Sequence, residues 1–305
     1  MPDNPTLPAG PFALSDHRVL ELSGRDAGAF AHAQFMNDVP GLAVGQGEWN
    51  GWLTPKGRVV ALFALLKLDA ERLWLLLPDV DPGEFAPKLQ RFVFRSKVSI
   101  RARPDCVVTG DFAPPAHARD ADIHSRPVAE AVHFELDFGG SGGSRTLWID
   151  VAALASTELE AVRTAMEGTG PLPAETTESL RWKTFDIRHG LPRLPPSQLE
   201  QWTPQMLSLE RLRAFSVKKG CYPGQEIVAR THFLGQAKRG LALLETTVPV
   251  EAGSEVRDGE RPLGTVCCAT ANLALAVLPQ AGVARPLTVD GIELRQLPLL
   301  QGLAR

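Results

Sequence analysis

The chain has 305 residues and a formal charge of -3, from 32 Lys and Arg against 35 Asp and Glu, with 44% hydrophobic residues. This length implies about two domains or three small ones, and the composition excludes global disorder and a protein that coats nucleic acid over its whole surface. Four scattered cysteines without a Cys-x-x-Cys pair exclude a disulfide scaffold, a zinc ribbon and a thioredoxin motif, and the longest apolar run, Val59 to Leu66, is too short to cross a bilayer.

Met1 to Gly10 is proline-rich and lacks the basic start and apolar core of a secretory signal, so a reducing, cytoplasmic setting is expected. Val19 to Leu22 reads as a short strand. Ala27, Phe30, Ala31 and Phe35 then share one helical face. Trp49 to Leu53 and Val59 to Leu68 read as strands joined by a turn at Thr54-Pro55-Lys56-Gly57. Arg72 to Leu77 is a third strand. Pro82 opens a helix through Phe94, and Val98 to Ala102 returns as a strand. This order makes a compact antiparallel α+β unit.

Pro104 to Glu130 reads as a short strand, Cys106 to Thr109, followed by a surface loop. Val132 to Phe138 and Thr146 to Val151 form a hairpin about the Gly/Ser-rich segment 139–144. Helices are expected over Ser156 to Glu167 and Thr177 to Arg188, with an irregular proline-rich stretch from Leu191 to Pro204. After Gly235, short apolar runs separated by Gly and Pro read as a small β-barrel.

Charge is unevenly placed. Arg181 to Arg239 holds eleven Lys and Arg against four Asp and Glu, a local +7 in a chain that is otherwise -10. A solvated face, a steering patch for an anionic small ligand and a docking surface for tRNA or an acidic partner all fit this excess. Inside it lies Lys218-Lys219-Gly220-Cys221-Tyr222-Pro223-Gly224-Gln225-Glu226, with the only tyrosine of the chain. Gln225 to Phe233 reads as a helix, so Cys221 precedes a helix N-terminus. Neighbouring ammonium groups and the helix dipole both favour a thiolate there. The bland alternative is a small buried cysteine between glycines that merely turn the chain.

Lys219 to Glu226 resembles the signature of the YgfZ family of folate-binding proteins, relatives of the glycine-cleavage T-protein that support iron–sulfur enzymes and some tRNA modification. The segment Leu22-Ser-Gly-Arg-Asp-Ala with Phe30, Gln34 and Asp38 is similar to the N-terminal segment of the family. Leu53 to Arg58, Gly190-Leu-Pro, Pro204-Gln205 and Lys238-Arg239 fit as well, so the resemblance spans most of the chain and is weakest from Pro104 to Pro173.

The resemblance implies an α+β protein of the aminomethyltransferase (T-protein) folate-binding fold. It divides the chain into a split folate-binding domain at 1–48 and 104–235, an inserted ferredoxin-like α+β domain at 49–103, and a C-terminal β-barrel at 236–305. It implies tetrahydrofolate or a derivative in a central cavity. The expected cofactor contacts are Lys219, Gly220, Cys221, Tyr222, Gly224, Gln225, Glu226 and Arg230, with Cys221 and Lys219 as the reactive pair. Basic groups suit the glutamate carboxylates of a folate. The implied function is an accessory factor for iron–sulfur cluster assembly or repair and iron–sulfur-dependent tRNA modification. The partners would be iron–sulfur client enzymes or assembly proteins, with a tRNA contact, no membrane and a monomeric state.

One departure weighs against an active aminomethyltransferase. T-protein enzymes carry an acid after their Leu-Arg-Leu-type turn, and the matching stretch here is Leu180-Arg181-Trp182-Lys183. A thiol-based transferase stays open. Elsewhere, Gly139-x-Ser141-x-Gly143 imitates a nucleophile elbow, but a strand follows it where a helix is needed, so it reads as a hairpin tip. Cys267 and Cys268, adjacent in a strand, should face opposite ways. The seven histidines show no ligand spacing, so no metal site is expected and most should lie at the surface. Trp49, Trp52, Trp182 and Trp202 read as core or pocket wall.

Overall fold

The computed structural model describes residues 10–128, 131–151, 176–235, 237–280 and 286–305. The apolar run that follows the Pro-Lys-Gly turn is a strand buried on both faces. Its alternate residues enter different cores: Ala61, Phe63 and Leu65 pack with Leu20, Leu75 and Phe85, whereas Leu62, Ala64 and Leu66 pack with Trp49, Trp74 and Leu136. That explains a sequence without polar alternation, because each face of the strand is covered.

The first sheet has the order β3-β4-β5-β2-β6 and comprises β2 (His17–Ser23), β3 (Gln46–Leu53), β4 (Val59–Lys67), β5 (Arg72–Pro78) and β6 (Ser99–Ala102). Helices α1 (Ala27–Gln34) and α2 (Pro82–Gln90) cover one face. Asp81 caps α2, its carboxylate accepting from the amides of Gly83 and Glu84 at 2.6 and 3.1 Å. The helix stops at Gln90, four residues before the predicted end, and Phe94 takes a left-handed φ of 36°. β2 lies between β5 and β6. The sheet therefore runs from 17 to 102 and crosses the boundary expected at residue 49, since Leu20 and Leu22 are needed to complete its core.

The second sheet has the order β1-β7-β10-β9-β8, with β1 (Phe12–Ala13), β7 (Cys106–Asp111), β8 (His124–Val128), β9 (Ala131–Asp137) and β10 (Thr146–Val151). β8 falls in a stretch read as loop. Its pairing with β9 holds it despite Pro127, which sits in an edge strand. The predicted helix 156–167 lies outside the described residues. Helix α3 (Thr177–Arg188) has its predicted limits and is capped by Thr176, whose Oγ1 accepts from the Ser179 amide at 3.1 Å.

The last unit is a closed barrel of six strands: β11 (Arg239–Thr246), β12 (Glu255–Asp258), β13 (Arg261–Thr270), β14 (Leu273–Pro279), β15 (Leu287–Val289) and β16 (Ile292–Leu297). Cys267 and Cys268 do not face opposite ways into core and solvent, because the register slips by one residue between Val266 and Cys268. The bulge leaves both thiols buried, the Cys267 Sγ–H donating to the Leu275 carbonyl at 3.2 Å. One continuous core joins all three sheets through Trp49, Val108, Leu147, Trp182, Leu243 and Leu275. The tail that follows β16 is stitched across it. Trp49 Nε1 donates to the Leu303 carbonyl at 2.6 Å, and Arg305 Nη2 donates to the Gly139 carbonyl at 2.8 Å.

Only His117 and His232 are exposed among the seven histidines; His17 and His189 are buried, contrary to the expectation of a mostly surface set. His189 caps α3 and stacks on Phe185, and its Nε2 accepts from the Gly142 amide at 3.2 Å. The Gly/Ser segment is a hairpin tip, as read.

Candidate functional site

The signature segment is a loop held at both shoulders. Ser216 donates its amide to the Met36 carbonyl at 2.9 Å, and its Oγ accepts from the amides of Lys218 and Lys219, each at 3.2 Å. The Lys219 ammonium turns inward, donating to the Phe35 carbonyl at 2.6 Å and to the His32 carbonyl, with the Tyr222 ring 4.7 Å away. Burial lowers its pKa to about 8, opposed by Asp38 and Glu48. Tyr222 is buried too, and its burial raises the phenol to about 12. Gln225 closes the loop by donating from Nε2 to the Lys219 carbonyl at 3.2 Å.

The far shoulder is a glycine contact. Gly224, at φ 82°, precedes helix α4 (Gln225–Leu234) and sits on the β3–β4 turn. A Cβ placed there would lie 2.6 Å from Gly57 Cα and 2.7 Å from the Thr54 carbonyl oxygen, so no larger residue fits. Between these two anchors Gly220 and Cys221 are exposed. The bland reading of Cys221 as a buried hydrophobe is therefore overturned. Glu226 and Arg230 point to solvent on α4, and Gln225 is half-buried.

A polar hub beneath the loop was not foreseen. Asn37 donates from Nδ2 to the Arg213 carbonyl at 2.7 Å and to the Trp49 carbonyl at 3.1 Å, while its amide donates to Asn50 Oδ1 at 3.0 Å. It thereby ties the segment that follows α1 to β3 and to the approach to the signature. Asn50 donates to Glu48 at 2.8 Å. Burial raises Glu48 to about 7 against this hydrogen bond and against Lys219 and Lys67. His32 is lowered by burial and by Lys219, with Asp38 opposing at 3.6 Å. The signal was present in the sequence. Gln46, Glu48 and Asn50 alternate along a strand whose other residues are apolar or glycine, which marks one face as polar inside the fold.

The hub has a pH signature. With the folded pKa of Glu48 above its ordinary value of 4.5, the folded state holds a proton that the unfolded chain releases. The associated stability is full below about pH 4.5 and is lost as pH rises through about 7. Glu48→Gln should therefore gain melting temperature relative to the native chain between pH 5 and pH 8. Thermal unfolding at pH 5, 6, 7 and 8 measures the gap, and a pH-independent difference would contradict the burial of this carboxyl.

A groove of about 770 Å³ opens where the first sheet, α3 and the barrel meet, lined among others by Arg18, Asp79, Lys183, Arg193, Val250 and Cys268. None of residues 219–226 lines it. Arg193, one of the ambiguous basic residues, is committed internally. It bonds Asp79 at 2.5 and 2.9 Å, Asp16 at 2.5 Å and Asp186 at 2.8 Å. Asp186 also meets Arg145 at 2.8 Å, and the Arg145 guanidinium stacks on Trp182 and Phe185 at 4.1 and 3.9 Å. His17 and Arg193 hold Asp16 well below the usual carboxylate range although burial opposes them. Arg211, another member of the basic segment, donates to the His189 and Leu300 carbonyls. Part of the +7 excess thus builds the fold, while Arg188, Arg213, Lys218, Arg230 and Lys238 remain exposed. Arg18 donates from Nη1 to the Ser15 and His17 carbonyls, with the Asp16 and Asp81 carboxylates close enough to act on its charge. Among the described residues no group of three His, Cys, Asp or Glu side chains could hold a metal ion, and no helix is long and apolar enough to cross a membrane.

No protein-family model matches the chain. It is 29% identical to the tRNA-modifying protein YgfZ of Klebsiella pneumoniae over 279 residues, covering 86% of this chain and 81% of that protein. The chain is similar to YgfZ along most of its length. A Haemophilus influenzae protein described as uncharacterized is 28% identical over 249 residues, covering 80% of this chain and 77% of its own length. Among solved structures, the glycine cleavage system aminomethyltransferase T of Bartonella henselae superposes with a TM-score of 0.71 at 16% identity, over 95% of this chain and 85% of that one. The fold is that of the T-protein, an α+β architecture closed by a six-stranded barrel.

Proposed function

We propose that the chain is a tetrahydrofolate-binding accessory factor that supports iron–sulfur cluster assembly or repair and iron–sulfur-dependent tRNA modification, with Cys221 as its working thiol. The observation that carries this reading is the placement of Cys221: exposed, yet fixed between the buried Lys219–Tyr222 pair and the Gly224–Gly57 contact. A thiol with no packing role, on a loop anchored on both sides, suits attack on or ligation of an incoming group. Lys219 serves it as a positioning residue.

The groove fits a folate by its chemistry. Its volume lies in the range of small-molecule sites, with apolar walls from Val80, Val250 and Ala269, cations from Arg18 and Lys183, and three carboxylates, of which Asp16 and Asp79 are engaged by Arg193 and Asp81 caps α2. The Arg18 guanidinium would take a glutamate carboxylate by charge-assisted hydrogen bonds. When bound, tetrahydrofolate supplies a carrier for a one-carbon unit. Lys183 lines the groove at the position where the resemblance places the T-protein acid. This argues for binding without aminomethyl transfer. A thiol-based transfer is the second reading, favoured by the exposure of Cys221.

Calorimetric titration tests the folate part: tetrahydrofolate should bind the native chain, and Arg18→Ala should weaken it about tenfold or more. Absence of heat with the native chain removes the folate. Complementation of a bacterial strain lacking its own counterpart tests the thiol. Cys221→Ala should fold and fail to rescue, and full rescue removes the role given to Cys221.

A further inference from the structure

From Lys88 to Arg103 the chain holds six Lys and Arg and no Asp or Glu, in a stretch well removed from the basic segment around the signature. Lys88, Arg91, Arg95 and Lys97 are all exposed, and among the described residues none of their side chains has an ion-pair or hydrogen-bond partner. Arg101 is exposed as well, 3.7 Å from Glu21, whereas Arg103 is turned inward onto Glu21, Asp105 and the Trp74 ring. The acids near this surface are Glu84 on α2, Asp81 at its cap, Asp26, which accepts from the Lys97 amide at 2.6 Å, and Glu21 beside Arg101. Four unpaired cations therefore face solvent within ten residues.

In their midst stands Phe94, 89% exposed, the largest exposure among the big apolar side chains of the described residues. It is held there by structure. Its backbone is left-handed, and the turn around it is bound by the Val93 amide to the Gln90 carbonyl at 3.1 Å and the Ser96 amide to the Val93 carbonyl at 2.8 Å. Phe92, two residues away, packs edge-on against Trp52 at 5.8 Å. Trp52 immediately precedes Leu53 and the turn on which Gly224 rests, so this surface adjoins the element that supports the thiol loop.

A lone aromatic ring flanked by arginines fits one class of partner best. A bilayer would be met by several apolar side chains on one face, and here Phe94 alone projects fully. An acidic protein would satisfy the cations but gives no reason for an isolated ring held clear of its neighbours. Single-stranded RNA supplies phosphates at the spacing of successive nucleotides and bases with flat faces that stack on aromatic rings. We propose that the Lys88–Lys97 surface is a docking site for single-stranded RNA, with Lys88, Arg91, Arg95 and Lys97 on phosphates and Phe94 under a base. This deepens the tRNA-modification reading above, but it involves neither the folate groove nor Cys221.

Fluorescence anisotropy with a labelled mixed-sequence RNA of about twelve nucleotides tests it, the length being of the order of one single-strand site. The native chain should bind at low salt, with log K falling against log salt with a slope near -3, as about four neutralised phosphates imply for a single strand. Phe94→Ala should weaken binding by about 5- to 150-fold, the range of one lost stack, and Phe94→Trp should restore it. The pair Arg91→Glu and Arg95→Glu should abolish binding and flatten the slope. Melting curves verify that these surface variants fold. Cys221→Ala should bind as the native chain does, so a failed thiol hypothesis and a failed RNA site give different results. No binding at low salt overturns the proposal. So does equal binding by Phe94→Ala, or a native chain that prefers phosphatidylserine vesicles to the RNA with Phe94→Leu as good as Phe.

Discussion

Replacing Arg193 with methionine is expected to cost about 3–5 kcal/mol of folding stability, the usual penalty for removing one partner from a buried ion cluster. The guanidinium spans three carboxylates drawn from distant parts of the chain: Asp16 before β2, Asp79 after β5 and Asp186 on α3. Its loss would leave Asp16 and Asp79 short of their cation and Asp186 with Arg145 alone. Arg193→Lys should recover only part of the loss, because a single ammonium cannot reproduce a planar fork aimed in three directions. Urea unfolding of the three proteins measures this. A methionine variant within about 1 kcal/mol of the native chain would show that the cluster is no stronger than a surface pair.

The second large effect concerns Lys219. Lys219→Met keeps the length of the side chain and removes the donor, leaving the carbonyls of His32 and Phe35 without it. Hydrogen bonds from charged donors are worth about 1.5–3 kcal/mol each, partly offset here because the ammonium no longer has to be desolvated. A net loss of about 2 kcal/mol is expected, together with a freed Ser216–Gln225 loop. Amide hydrogen exchange should quicken across that loop and stay unchanged in the barrel. Arg230→Ala, on the solvent side of α4, should do neither. Unchanged exchange in Lys219→Met would show that the loop is held by Tyr222 and Gly224 alone.

Much of this architecture was legible because it rests on local rules. Thr176 and Asp81 are side-chain caps, and the helices they start begin where the sequence places them. The Pro-Lys-Gly turn and the barrel spacing follow from backbone restrictions on Pro and Gly. The misses share a different cause. β8 exists only because β9 is there to pair with it, and β2 joins the first sheet through partners some fifty to eighty residues away in sequence. The bulge at Cys267 is a register event that no alternation pattern reveals. At the site, the signature drew attention to Cys221, which the structure exposes, while Lys219 is used inwardly. Whether a basic residue faces a ligand or a carbonyl depends on what lies opposite it, and here the carbonyls of α1 lie opposite.

The bonds that fix the thiol loop are long in sequence. Lys219 reaches back 184 residues to Phe35, and Asn37 reaches forward 176 residues to Arg213. Loops of that length close slowly, because chain entropy must be spent before the contact repays it. The first sheet closes over separations of at most about eighty residues, whereas the loop bearing Cys221 can dock only once its own segment and the end of α1 have been made and have met. A half-folded chain would carry the cysteine without its setting. Exchange protection of the Ser216–Gln225 amides should therefore emerge late in refolding, after the far-ultraviolet signal of the sheets has already returned.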